Sequence, residues 1–167
     1  MGPSVVSDTG TGFSGRNVLC IEPSTLFGEL KLPPSKSHAM RWLTLASMDA
    51  KPTKIVMWEI GKDVLAMIDC LEQLGIKWES DTIYGGELSR PTGILDCKNS
   101  GTALRFLIGQ SATCDFQISI DGDASLRARS SLQLLESLCI KFNSKLNTSE
   151  LPIDITGPFN VGNVEID

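Results

Sequence analysis

Two stretches of this 167-residue chain carry hydroxyl, amide and basic side chains at a spacing suited to holding an anion. One reads Pro34-Ser35-Lys36-Ser37-His38-Ala39-Met40-Arg41, the other Lys98-Asn99-Ser100-Gly101-Thr102-Ala103-Leu104-Arg105. Each leads into an apolar-periodic segment with an arginine about one turn inside it, so each predicts the start of a helix. The first turn of a helix offers unsatisfied N–H groups and the positive end of the backbone dipole, which together attract anions. Lys36 adds a point charge, and Arg41 and Arg105 add planar forks that match phosphate or carboxylate. Gly101 has no Cβ to hold a ligand away from the backbone. A third basic cluster, Arg127-Ala128-Arg129, follows the turn-rich stretch Asp121-Gly122-Asp123-Ala124 and also precedes a predicted helix.

Each feature has a plainer reading beside it. Ser37 and Ser100 fit helix N-caps. An arginine so near a helix start opposes the dipole, and a bound anion would remove that conflict. The conflict occurs twice, which favours the anion. Arg127 and Arg129 equally fit a solvated charged loop. His38 fits a first-turn helix residue better than a general acid or base, and Asp121 and Asp123 fit turns and caps better than metal ligands. Trp42, Trp58, Trp78 and the phenylalanines are expected at scattered core-like positions, not in a platform for stacking bases. The residues by themselves point to a small, multiply anionic ligand and leave the reaction open.

The elements that must position these loops alternate along the chain. Residues 1–16, rich in Ser, Gly and Thr, are expected to form a flexible leader. Strands are expected at 28–32 and 54–57, with a helix over 38–48 between them. A helix over 63–74 would put Val64, Met67, Leu71 and Leu74 on one face, with Gly75 where a C-terminal glycine belongs. Short strands follow at 77–79 and 83–84. The order then recurs: a strand at 93–97, a helix over 102–111, a strand at 116–120, a helix over 130–138 with Leu132, Leu135 and Leu138 inward, and strands at 140–142 and 152–156.

That recurrence is visible residue by residue. Leu-Glu-Gln-Leu-Gly-Ile-Lys-Trp, beginning at Leu71, matches Leu-Glu-Ser-Leu-Cys-Ile-Lys-Phe, beginning at Leu135, an offset of 64 residues. The same offset carries Ala39, Arg41, Leu43 and Ser47 onto Ala103, Arg105, Leu107 and Ser111, all identical, and Trp42 onto Phe106. Agreement of two distant windows on one offset marks an internal repeat. The expected fold is therefore α+β, a two-layer α/β arrangement of repeated β-α-β-α-β-β units. Residues 17–97 would form the first unit and 98–162 the second; 163–167 would begin a third, so the chain is expected to be part of something longer.

Composition narrows the function. Hydrophobic residues make up 41% and charged residues 21%, which describes a globular chain and not a disordered one. Fifteen basic against twenty acidic residues give a net charge of −5, which argues against coating nucleic acid. Cys20, Cys70, Cys97, Cys114 and Cys139 are far apart, odd in number and without a C-x-x-C, which argues against a disulfide framework or structural zinc and fits a reducing cytoplasm. A single histidine excludes a His-rich metal site. No apolar run approaches the roughly 18 residues a membrane helix needs, and the N-terminal stretch lacks the charged and apolar regions of a secretory signal.

Three segments taken together resemble one family, the 5-enolpyruvylshikimate-3-phosphate synthases (3-phosphoshikimate 1-carboxyvinyltransferases). Leu32-Pro33-Pro34-Ser35-Lys36-Ser37 through Arg41 resembles the family's P-G-S-K-S-x-x-x-R loop. Asn99-Ser100-Gly101-Thr102-Ala103-Leu104-Arg105 resembles its N-A/S-G-T-x-x-R loop, and Gly122-Asp123 through Arg127-Ala128-Arg129 its G-D/E…R-x-R-P loop. Order and spacing agree, over about residues 18–167. The resemblance implies two domains of three β-α-β-α-β-β units each, with the active site in the cleft between domains. This chain would hold two of the three units of one domain.

The reaction so implied transfers enolpyruvyl from phosphoenolpyruvate to the 5-hydroxyl of shikimate 3-phosphate, on the way to chorismate and the aromatic amino acids. It implies no metal and no cofactor, no nucleic-acid or membrane partner, and glyphosate as inhibitor. By resemblance Lys36 would touch both substrates, and Ser37 and Arg41 would bind shikimate 3-phosphate. Asn99, Gly101 and Arg129 would line the phosphoenolpyruvate side, Thr102 would shape that pocket, and Arg105 would support the loop. The acid–base groups would lie in the part of the family fold absent from this chain, so no turnover is expected of this polypeptide alone. Pro34, Met40, Phe106 and Ser130 depart from the family's usual Gly, Asn, Pro and Pro; none removes a charged ligand group. Two other readings are a noncatalytic anion-binding module of the same fold and a UDP-N-acetylglucosamine enolpyruvyl transferase. Members of the latter usually carry Asn after the loop lysine, where this chain has Ser37.

Overall fold

The structure, a computed structural model, describes residues 23, 25, 27–141, 145–146 and 150–158. The expected leader at 1–16 and the expected start of a third unit at 163–167 lie outside the described residues. The chain divides into two compact units, Met1–Leu32 and Pro33–Asp167. In the first, the strand expected over 28–32 does not form, and Leu30 and Leu32 are exposed. Alternation of apolar and polar residues becomes a strand only where another strand takes up its backbone groups, and none does so among the described residues.

The second unit runs α1 (Lys36–Ser47), β1 (Thr53–Lys54), α2 (Lys62–Gln73), β2 (Lys77–Glu79), β3 (Thr82–Tyr84), β4 (Leu95–Asp96), α3 (Gly101–Ser111), β5 (Ile118–Asp121), α4 (Ala124–Arg127), α5 (Leu132–Lys141), β6 (Lys145–Leu146) and β7 (Ile153–Thr156). One sheet has the order β1-β3-β2, antiparallel throughout, with Thr53 and Trp78 both opposite Ile83. The other has the order β4-β5-β7-β6. There β4 runs parallel to β5, and β7 runs antiparallel to both β5 and β6. The β5-β7-β6 run repeats the order β1-β3-β2.

Most elements fall within a few residues of their expected positions. Three differ in kind. Ile140 and Lys141 continue α5 instead of beginning a strand. A short apolar run suits either period, and here it extends the helix; Phe142, the last residue of the expected strand, lies outside the described residues. The one-turn helix α4 and the strand β6 carry no periodic signal long enough to read. Helix α1 begins two residues before 38, because Ser35, and not Ser37, is the N-cap: its hydroxyl accepts from His38 N at 3.4 Å.

Helices α1, α2 and α3 pack on one another, and α2 also touches strands of both sheets. Val64, Met67, Leu71 and Leu74 are buried on one face of α2, as their spacing requires. Leu135 and Leu138 of α5 are buried, but Leu132 is exposed at the helix's first residue. Trp78 packs against the core; Trp42 and Trp58, expected there, are 58% and 49% exposed. Trp42 lies on the face of α1 opposite Met40 and Leu43, which take the core side. The thiols of Cys70, Cys97 and Cys114 are free and buried. Cys70 Sγ donates to the Asp96 carbonyl at 3.6 Å, and its neighbouring thiol together with burial pushes the Cys97 thiol up. That leaves Cys97 an unreactive core residue.

The C-terminal ends of α1 and α3 are clamped in the same way. Gly85, just after β3, lies under the end of α1, and Gly86 N donates to Ser47 O at 3.0 Å. A Cβ on Gly85 would overlap Ala46 O and come within 2.5 and 2.7 Å of the Asp49 and Ser47 carbonyls. Gly157, just after β7, lies under the end of α3, with its N–H donating to Cys114 O at 2.8 Å. A Cβ there would overlap Ala112 O. Gln110 ties the same two helix ends together, donating from Nε2 to Ser47 Oγ at 2.6 Å while only 4% exposed.

Backbone cannot yield as a flexible side chain does. Gly85→Ala and Gly157→Ala should each cost about 1–3 kcal/mol of stability, the range for overpacked positions. Gly93→Ala, where a Cβ meets nothing within 4 Å, is the control and should leave the urea midpoint in place.

Candidate functional site

At the start of α1, Ser35 caps the helix, and Lys36, Ser37, His38 and Arg41 are all exposed. The Arg41 guanidinium turns back along the helix, donating from Nη1 to Ser37 O at 2.9 Å. Lys36 Nζ bonds Asp63 of α2 at 2.8 Å. That pair is more than half exposed on the lysine side, and exposed pairs contribute only about 0–1 kcal/mol. An incoming anion therefore competes with a weak partner for Lys36. A cavity of about 190 Å³ opens beside it, lined by Pro34, Lys36, Met57, Lys62 and Asp63.

The start of α3 is built alike and more heavily tied. Ser100 is the N-cap, buried, with its hydroxyl accepting from Ala103 N at 3.3 Å. Arg105 repeats Arg41: its Nη1 donates to Gly101 O at 3.0 Å, and Nη2 reaches Ser130 O at 3.2 Å. Asn99 Nδ2 donates to both carboxylate oxygens of Asp123, at 3.1 and 2.9 Å. Asn99 Oδ1 accepts from Arg129 Nη2 at 2.8 Å. Gly101 is buried beneath both arginines: a Cβ on it would lie 2.9 Å from Arg105 Nη1 and 3.6 Å from Arg129 Nη1. Thr102 is half-buried in the first turn. The Gly122 turn is equally tight, since a Cβ there would overlap the Leu126 side chain. Asp123, next along, accepts from Leu126 N at 2.8 Å and caps α4, which delivers Arg129.

The basic groups sort into two kinds by their partners. Arg127 bonds the Asp121 carboxylate through Nε at 2.9 Å and through Nη2, and Lys98 bonds Asp96 at 2.6 Å. These charges are already matched, and Arg127 and Lys98 hold the Asp121 and Asp96 carboxyls below the usual aspartate range. Arg41, Arg105 and Arg129, by contrast, bond neutral oxygens: Ser37 O; Gly101 O and Ser130 O; Asn99 Oδ1 and Ser125 Oγ. Their positive charge remains available to a ligand. The Asp123 carboxyl lies below the usual range chiefly because Asn99 and the Leu126 N–H donate to it.

Asn99, Gly101, Thr102 and Arg129 thus come together at the start of α3, with Arg105 beside them, and Lys36, Ser37 and Arg41 come together at the start of α1. Asp121 and Asp123 are spent on Arg127, on Asn99 and on the α4 cap. Among the described residues no group of three or more His, Cys, Asp or Glu is arranged to hold a metal ion, and no helix is long and apolar enough to cross a membrane. Two functional contacts had no signature in the sequence: Lys36 with Asp63, 27 positions on, and Asn99 with Asp123, 24 positions on. Such separations become contacts only through the fold.

Comparisons with known proteins agree with one another. The family model for EPSP synthase (3-phosphoshikimate 1-carboxyvinyltransferase) matches residues 21–167. A 3-phosphoshikimate 1-carboxyvinyltransferase of Methanocorpusculum labreanum is 35% identical over 156 residues, covering 89% of this chain and 37% of the relative. One of Carboxydothermus hydrogenoformans is 39% identical over 119 residues, covering 68% of this chain and 28% of the relative. The solved EPSP synthase of Acinetobacter baumannii superposes with a TM-score of 0.73 at 26% identity, covering 82% of this chain and 33% of that one. The chain spans about a third of the length of the relatives it matches. With both arginine-bearing helix starts inside the matched region, this chain belongs to the EPSP synthase family, the 3-phosphoshikimate 1-carboxyvinyltransferases.

Proposed function

We propose that this chain serves enolpyruvyl transfer from phosphoenolpyruvate to the 5-hydroxyl of shikimate 3-phosphate, in the cytoplasm, as part of chorismate and aromatic amino acid biosynthesis. The observation that carries the reading is the sorting of the charges. Among the described residues Arg41, Arg105 and Arg129 form no ion pair with a carboxylate, while Arg127 and Lys98 do. Substrates bearing phosphate and carboxylate need cations in that state. Phosphate departs during the reaction, and guanidinium groups already oriented on it stabilise the developing charge without reorganising.

In this reading Lys36, Ser37 and Arg41 hold shikimate 3-phosphate. Asn99, Gly101, Thr102 and Arg129 hold the phosphoenolpyruvate side, where glyphosate would compete. Lys36 exchanges Asp63 for the ligand, at little cost. The repeat, proposed over 17–97 and 98–162 and lacking its opening strand among the described residues of the first unit, gives each substrate one helix start of the same design. The shared sheet order and the paired glycine clamps support that repeat.

Calorimetric titration of the polypeptide with shikimate 3-phosphate tests the α1 half. Binding that Lys36→Ala/Arg41→Ala loses is expected; an equal affinity in a folded double variant sinks the assignment. For the α3 half, Arg129→Ala should weaken phosphoenolpyruvate binding, measured with shikimate 3-phosphate present, by roughly 10–100-fold, the value of a charge-assisted hydrogen bond. Arg127→Ala removes a charge already matched by Asp121 and should leave that affinity within about twofold, as for a surface ion pair.

A further inference from the structure

We infer that Asp123 is a positioning residue for Arg129, acting through Asn99: it holds the Asn99 amide so that its carbonyl oxygen faces the guanidinium, while keeping its own negative charge one residue away. The inference rests on the reading of Arg129 as a ligand group and goes beyond it to the device that keeps that group ready.

The geometry is specific. Both Asp123 oxygens lie within hydrogen-bond distance of Asn99 Nδ2, at 3.1 and 2.9 Å. The carboxylate is itself oriented from the backbone, since Oδ1 accepts from Leu126 N at 2.8 Å. Asn99 Oδ1 then faces Arg129 Nη2 at 2.8 Å. An ionised carboxylate only accepts and a guanidinium only donates. A flipped Asn99 amide would set oxygen against carboxylate and N–H against guanidinium, so the two neighbours jointly select one orientation. The same Asp123 caps α4, and Arg129 N donates to Leu126 O at 3.0 Å at the end of that turn. One carboxylate therefore sets both the backbone that delivers Arg129 and the amide that aims it.

The contrast with Arg127 shows what the interposed amide does. Arg127 meets its carboxylate, Asp121, directly and is matched by it. Arg129 meets Asp123 only through a neutral amide and keeps its charge for a ligand. Orientation passes through Asn99, and the direct charge interaction of Arg129 with Asp123 is a minor one beside the hydrogen bonds Asp123 accepts. Exchanging the two residues would keep the same partners, reverse donor and acceptor between positions 99 and 123, and put a carboxylate on Arg129.

Two variants of the full 167-residue chain test this. Asp123→Ser keeps a residue that caps helices well but is too short to hold Asn99. Asn99→Asp/Asp123→Asn keeps a hydrogen bond between positions 99 and 123, with its direction reversed, and moves the charge. Side-chain amide and guanidinium resonances of Asn99 and Arg129 report the link directly, and titration with phosphoenolpyruvate in the presence of shikimate 3-phosphate reports its effect. In Asp123→Ser the Asn99 amide and Arg129 guanidinium signals should average while the thermal midpoint holds, and affinity should fall about tenfold, as for one charge-assisted hydrogen bond. The exchanged pair should keep ordered side-chain amide signals, now at position 123, and ordered Arg129 signals, and lose affinity at least as far. Unchanged side-chain signals and affinity in Asp123→Ser would overturn the inference, because a capping role alone is rescued by Ser. If the wild-type chain binds no phosphoenolpyruvate while its Asn99 and Arg129 signals still depend on Asp123, the link stands and the substrate assignment falls.

Discussion

The close approach of a strand-end glycine to the C-terminal carbonyls of a helix, made once at Gly85 under α1 and again at Gly157 under α3, is the constraint on which the rest depends. A helix transmits position rigidly: α1, with 12 residues, is about 18 Å long at 1.5 Å per residue. Fixing its far end against backbone, with Gln110 tying the two far ends together, fixes where its first turn lies. The basic side chains of the N-terminal turns, Lys36, Arg41 and Arg105, are exposed. At the clamped ends Gly86 N and Gly157 N donate to Ser47 O and Cys114 O.

Around those N-terminal turns, the choice of partner decides what each cation can do. Neutral partners orient a guanidinium without discharging it, and carboxylates do both. The chain uses the first kind for Arg41, Arg105 and Arg129 and the second for Arg127 and Lys98. Arg127 and Arg129, two residues apart, show both kinds, although the net charge of −5 offers acidic partners in plenty. In an acidic protein, cations stay available to an anionic ligand only where carboxylates are kept from them. Asp123, held off by an amide and by a helix cap, is the place where that separation is most finely set.

Much of this could be read before any fold was known, and for local reasons. The buried face of α2 follows from a period of 3.6 residues. The Ser100 cap follows from a hydroxyl before an apolar run. The 64-residue offset follows from identities such as Arg41 with Arg105, and those two arginines make the same bond to the carbonyl four residues back. The misreadings were local signals without the partner that would make them true. Residues 28–32 alternate like a strand and pair with nothing described. Ile140 suits a strand but continues α5. Trp42 is apolar and aromatic but sits on the outward face of α1.

By itself the sequence determined which residues could bind anions, which helix starts would carry them, and that the pattern occurs twice, because caps, periodicity and motif spacing are properties of neighbours along the chain. Only the tertiary structure decided which of those cations keep their charge. Lys36 with Asp63, Arg127 with Asp121 and Asn99 between Asp123 and Arg129 are choices among oppositely charged or polar groups that the chain offers in number. Packing alone brings one pair within about 3 Å, the range of a hydrogen bond, and leaves the others apart.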